Sequence, residues 1–90
     1  MTEFRNNPEL RKIDFEIKMY KLDADINQIW QDLETCKNPK VIHKHFERVQ
    51  YLLDTYRELV LSEIRIDISF DEGYMQSLAG MLFDRYCELA

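Results

Sequence analysis

Ninety residues with five Phe, five Tyr, four Met and one Trp, but only two Gly and two Pro, describe one domain. The apolar bulk suits a core, and turn formers are too scarce for a β-sandwich or a disordered chain. Seventeen acidic against twelve basic side chains leave a net charge of −5, which disfavours broad binding to nucleic acid or anionic membranes, because both need a cationic surface.

Residues 1–7 read as a flexible lead into a single helical domain spanning residues 1–90. Asn7-Pro8-Glu9 is a helix start: Asn caps, Pro fits the first helical position, and the acid meets the positive helix end. The stripe Phe15, Met19, Leu22, Ile26, Ile29, Leu33 and Cys36 then alternates spacings of four and three, the repeat of a helix packed on other helices. The pattern runs to about Lys37, where Asn38 and Pro39 stop it.

A second block from about Lys40 carries Ile42, Phe46, Val49, Leu53, Tyr56, Val60 and Ile64 at helical spacing. Ser69-Phe70-Asp71-Glu72 has the form of a capping box opening a last helix, with Met75, Leu78, Leu82, Phe83, Tyr86 and Leu89 inward. The fold expected is mostly α, an antiparallel helical hairpin plus a third C-terminal helix. Two stretches, about 12–20 and 63–70, alternate polar and apolar residues as strands do. They define the alternative, a β-α-α-β-α order with a small two-stranded ribbon. Ile26, Trp30, Leu33, Val49 and Leu53 lie in helical blocks under both layouts and are expected in the core.

If the first block is helical throughout, it has a second apolar face. Leu10, Ile13, Ile17, Tyr20 and Ala24 lie nearly opposite the first stripe. Either the third helix covers this face, or a second subunit does; a symmetric homodimer through Leu10, Ile13, Ile17 and Tyr20 follows from the latter.

No motif carries catalytic chemistry. There is no Gly-rich phosphate loop, nucleophile elbow or His-Glu-x-x-His pair, and the expectation is no enzyme and no cofactor. Cys36, Cys87, His43 and His45 include no Cys-x-x-Cys unit, and His43 and His45 diverge by about 200° on a helix, so no metal site is expected. The thiols read as buried and unpaired, one histidine as solvated and the other as edging the core.

One local rule is broken. Lys37, Lys40, His43, Lys44 and Arg48 gather where the second helix begins, although its positive end disfavours cations. One explanation is relief by Asp32 and Glu34, which a hairpin would bring toward Lys40 or Lys44. The other is a site for an anion or an acidic partner at Lys37, Lys40, His43, Lys44 and Arg48.

These readings converge on a small acidic protein–protein interaction module, an adaptor, inhibitor or regulatory subunit, with a phage or mobile element as one source compatible with them. Its expected partners are another protein and a second copy of itself. The alternative is a nucleic-acid-binding module using the basic hairpin tip; a third is a DNA-mimic inhibitor of a basic protein. No apolar run approaches the ~18 residues of a membrane span and no signal-peptide pattern opens the chain, so a cytoplasmic setting without membrane contact is expected.

Overall fold

The computed structural model describes residues 7–90. Among them three α-helices follow one another without a strand: α1 (Pro8–Thr35), α2 (Pro39–Leu61) and α3 (Glu72–Leu89). The fold is the helical hairpin plus a third helix, and the ribbon alternative is overturned. Apart from Asn7, the lead over residues 1–7 lies outside the described residues.

Two helices open on the same dipeptide. Asn7 Oδ1 accepts the Glu9 N–H at 3.0 Å and the Leu10 N–H at 3.4 Å, and Asn38 Oδ1 accepts the Lys40 N–H at 3.0 Å. Pro8 and Pro39 take the first helical position, where an N–H has no intrahelical acceptor. The same Asn38-Pro39 pair stops α1, which ends at Thr35; Cys36 is already extended at φ −75°, ψ 132°.

The expected capping box at Ser69 does not form. Asp71 caps α3 instead, its carboxylate accepting the Tyr74 N–H at 3.0 Å, while Ser69 stays exposed in the linker. Phe70 explains the shift. Its ring turns into the core, which holds residues 69 and 70 in the linker and leaves the cap to the next acceptor.

The stretch 63–70 is neither helix nor paired strand. At the end of α2 the Glu63 N–H bonds to Val60 O at 3.0 Å and the Ile64 N–H to Leu59 O at 2.9 Å. This is a Schellman ending, with Glu63 at φ 60° in the left-handed position that glycine usually fills. Beyond it Ile64, Ile66, Ile68 and Phe70 are half-buried, while Arg65, Asp67 and Ser69 are exposed. The alternation in the sequence therefore reports one face packed on the core, without a ladder.

One apolar cluster joins the three helices and the linker. Of the first stripe, Phe15, Met19, Leu22 and Ile29 are buried, while Ile26, Leu33 and Cys36 are half-buried. Phe15 meets Phe70 edge-on at 5.4 Å between ring centroids, and Phe70 stacks on Tyr56 at 4.4 Å. Along the same part of α1, Lys12 Nζ lies 2.8 Å from Asp67 Oδ2, a contact that raises the lysine pKa and lowers the carboxylate's. Further along, α3 reaches α1 chiefly through Trp30, whose Nε1–H donates to Tyr74 Oη at 2.7 Å. Most of α3 packs on α2.

The inward faces of α2 and α3 differ from the spacing read in the sequence. Leu59 is buried and Val60 half-exposed, and Leu52 and Thr55 join Ile42, Val49 and Leu53 inside. In α3, Met75, Leu78 and Leu82 are inward as expected, with Ala79. Phe83 is instead exposed at the rim, its centroid 5.5 Å from that of Phe46. A small residue lets two helices approach closely; a phenylalanine fits better where they diverge. Of the expected core, Val49 and Leu53 are buried, while Ile26, Trp30 and Leu33 line its edge.

Urea unfolding checks two consequences. Leu53→Ala should cost about 2–5 kcal/mol, and Leu33→Ala less because its site is open on one side. Glu63→Gly should raise stability by up to about 1 kcal/mol, because glycine occupies the left-handed conformation without the Cβ penalty.

Candidate functional site

The outer face of α1 is bare. Leu10, Ile13, Ile17 and Tyr20 are 40%, 50%, 49% and 65% exposed, and Ala24 is exposed one turn further on. Helix geometry sets this stripe opposite Phe15, Met19 and Leu22, at about 100° per residue; its exposure follows from where the other elements pack. The option that α3 covers this face is overturned, because α3 packs on α2.

The two flanks of the stripe differ in charge. On the side toward α2, Asp14 pairs with Lys18 at 3.1 Å and accepts a hydrogen bond from Tyr51 Oη at 2.8 Å. Asp25 pairs with Arg48 at 3.0 Å, and Arg11 pairs with Glu58. Lys18 also sits 4.5 Å from the centroid of the Tyr51 ring. On the other side Glu9, Glu16 and Asp23 succeed one another at intervals of seven residues. None of the three pairs with a cation among the described residues.

The basic tip is only partly assembled. Lys40 and Lys44 are exposed on the first two turns of α2, and Lys37 is exposed in the preceding connection. With His43, Lys40 and Lys44 edge a shallow cavity against Tyr86 of α3. His43 packs on Tyr86 at 4.9 Å between centroids, and its Nδ1 lies 3.3 Å from Glu47 Oε1. Arg48 is drawn away by its pair with Asp25 and does not join the cluster.

The relief expected from Asp32 and Glu34 does not occur. Asp32 lies 2.8 Å from His45 Nε2 and accepts from Gln28 Nε2 at 2.8 Å, while Glu34 has no cationic partner among the described residues. Lys37, Lys40 and Lys44 likewise have no carboxylate within ion-pair distance among those residues. Neither histidine is fully solvated: His45 ties α2 to α1, and His43 packs on α3. The sequence signal for the His45–Asp32 pair was present, an acid late in one helix and a histidine early in the next, but lysines competed for the same acid. Cys36 is half-buried and Cys87 exposed, so the buried reading fails for Cys87; both thiols are free.

No group of three or more His, Cys, Asp or Glu residues is placed to hold a metal among the described residues, and no helix there is long and apolar enough to cross a membrane. Comparison with known proteins finds no family model, no curated protein and no solved structure that matches this chain. The functional reading therefore rests on the surfaces alone.

The His45–Asp32 contact makes a prediction about pH. The His45 hydrogen bond, followed by that of Gln28, holds the Asp32 carboxyl below its ordinary 3.8 in spite of partial burial. A carboxyl depressed in the folded state contributes stability that is complete above its unfolded value and is lost as pH falls through the folded one. Urea unfolding from about pH 5 to about pH 2.5 should therefore show a steeper loss for the wild type than for Asp32→Asn.

Proposed function

We propose that this chain is a non-enzymatic protein–protein interaction module whose working surface is the outer face of α1. The observation that carries the reading is the exposure of Leu10, Ile13, Ile17 and Tyr20 in one line on a helix whose other side is buried. A straight apolar line at alternating three- and four-residue spacing is what a partner helix reads when it lies along another. Apolar surface of that form gains free energy when covered, roughly 25 cal/mol for each Å² removed from water.

The same stripe offers a contact to a second copy, and the unpaired Lys37, Lys40 and Lys44 offer a separate one to an acidic partner or a nucleic acid. The lysine reading is the second, supported by the missing carboxylates at the tip. Its cationic set is small beside the 6–10 phosphate contacts of a strong nucleic-acid binder.

The test compares wild type, Ile17→Glu and the double variant Lys40→Glu/Lys44→Glu, in sedimentation and in retention of proteins from the source cell. Ile17→Glu changes a half-exposed side chain, so it should alter the folding free energy of the isolated chain by less than about 1 kcal/mol. It should nonetheless abolish association, while the tip variant keeps it. Association unchanged by Ile17→Glu and lost in the tip variant would transfer the function to the lysines. No association by any form would remove the interaction reading.

A further inference from the structure

Resting on the docking role of the α1 face, we infer that its occupant is a basic amphipathic helix of another protein, with Lys or Arg along the edge that meets Glu9, Glu16 and Asp23. Leu10, Ile13, Ile17, Tyr20 and Ala24 occupy the alternating seam positions of a two-helix contact, and Glu9, Glu16 and Asp23 stand immediately before Leu10, Ile17 and Ala24. Residues in that flanking position face the edge of the opposing helix and set partner choice and orientation.

No ion pair among the described residues neutralises them: Lys12 acts on Glu9 and Glu16 only through space, being hydrogen-bonded to Asp67, and one carboxylate oxygen of Glu16 is buried without a hydrogen-bond partner. The α2-side carboxylates, Asp14 and Asp25, already have Lys18 and Arg48. Glu9, Glu16 and Asp23 have no cation within ion-pair distance among the described residues. Desolvating an unpaired carboxylate row beneath a neutral or acidic partner is unfavourable, whereas a row of cations neutralises it.

A second copy supplies no such row. Antiparallel pairing of two α1 helices sets this flank against itself, carboxylate to carboxylate. Parallel pairing sets Glu9, Glu16 and Asp23 against the other copy's Asp14, Lys21 and Gln28, with one cation among three. The net charge of −5 on each chain opposes either arrangement further. From Leu10 to Ala24 the stripe runs about 22 Å, so the partner helix need be only about four turns long.

The test uses two synthetic helical peptides with one identical Leu/Ile stripe, flanked by Lys in the first and by Glu in the second. Their binding is followed by fluorescence anisotropy at low and at high salt. The lysine peptide should bind about tenfold more tightly at low salt, with the preference shrinking as salt screens it. Ile17→Glu should abolish its binding, and the double variant Glu9→Lys/Asp23→Lys should reverse the preference. Equal affinity for both peptides, both lost in Ile17→Glu, would overturn the charge inference while leaving the docking face in place. Lysine-peptide binding indifferent to Ile17→Glu would overturn it as attraction elsewhere on an acidic protein. A chain that binds neither peptide, or that sediments as a dimer dissociated by Ile17→Glu, would overturn it as well, the dimer naming a second copy as the occupant.

Discussion

Phe70 lies edge-on to Phe15 and stacks on Tyr56, and through those two rings the linker becomes a wall of the core. Three helices of this length do not enclose a core around α1, because α3 packs mainly on α2 and meets α1 chiefly toward its C-terminal end, around Trp30 and Leu33. Among the described residues, Ile64, Ile66, Ile68 and Phe70 join α2 in packing on the N-terminal half of α1. Aromatic rings suit this place, since one side chain covers a large area and accepts both edge-on and stacked neighbours.

The linker's position explains the surface. With α2 on one side and the linker on the other, none of the described residues lies over the remaining face of α1. The Schellman ending contributes directly: Glu63 in the left-handed conformation turns the chain away from the α2 axis, and the Ile64–Leu59 bond sets the first inward residue of the linker. Had α2 continued through Ile64 as a helix, that inward row of alternate residues would not exist. The exposed stripe is thus a consequence of how the core is closed.

Charge is arranged on the same plan. The ion pairs Asp14–Lys18, Asp25–Arg48, Arg11–Glu58 and Lys12–Asp67 lie along the two seams that bind α1 to α2 and to the linker. Each is exposed enough to contribute little singly, of order 0–1 kcal/mol. Together they engage Arg11, Lys12, Lys18 and Arg48, while Lys21 on α1 and Lys37, Lys40 and Lys44 at the hairpin tip form no ion pair among the described residues, nor do Glu9, Glu16 and Asp23 beside the stripe.

The residues alone determined the mostly helical class, the Asn-Pro helix starts and the inward set Phe15, Met19, Leu22 and Ile29, because these depend on spacing and capping within a few turns. They also marked the lysines at the tip. The second stripe on α1 is conditional on residues 12–20 being helical, which the structure decides. Tertiary structure decided what local rules leave open. Leu59 rather than Val60 turns inward because a run of adjacent apolar residues fits two registers, and the Schellman bond selects one. Asp71 rather than Ser69 caps α3 because Phe70 is held in the core. Asp32 goes to His45 rather than to a lysine because side chains across a hairpin meet according to how the helices are rotated. Whether the α1 stripe is covered depends on where α3 comes to rest, a long-range packing choice between elements that no single segment encodes.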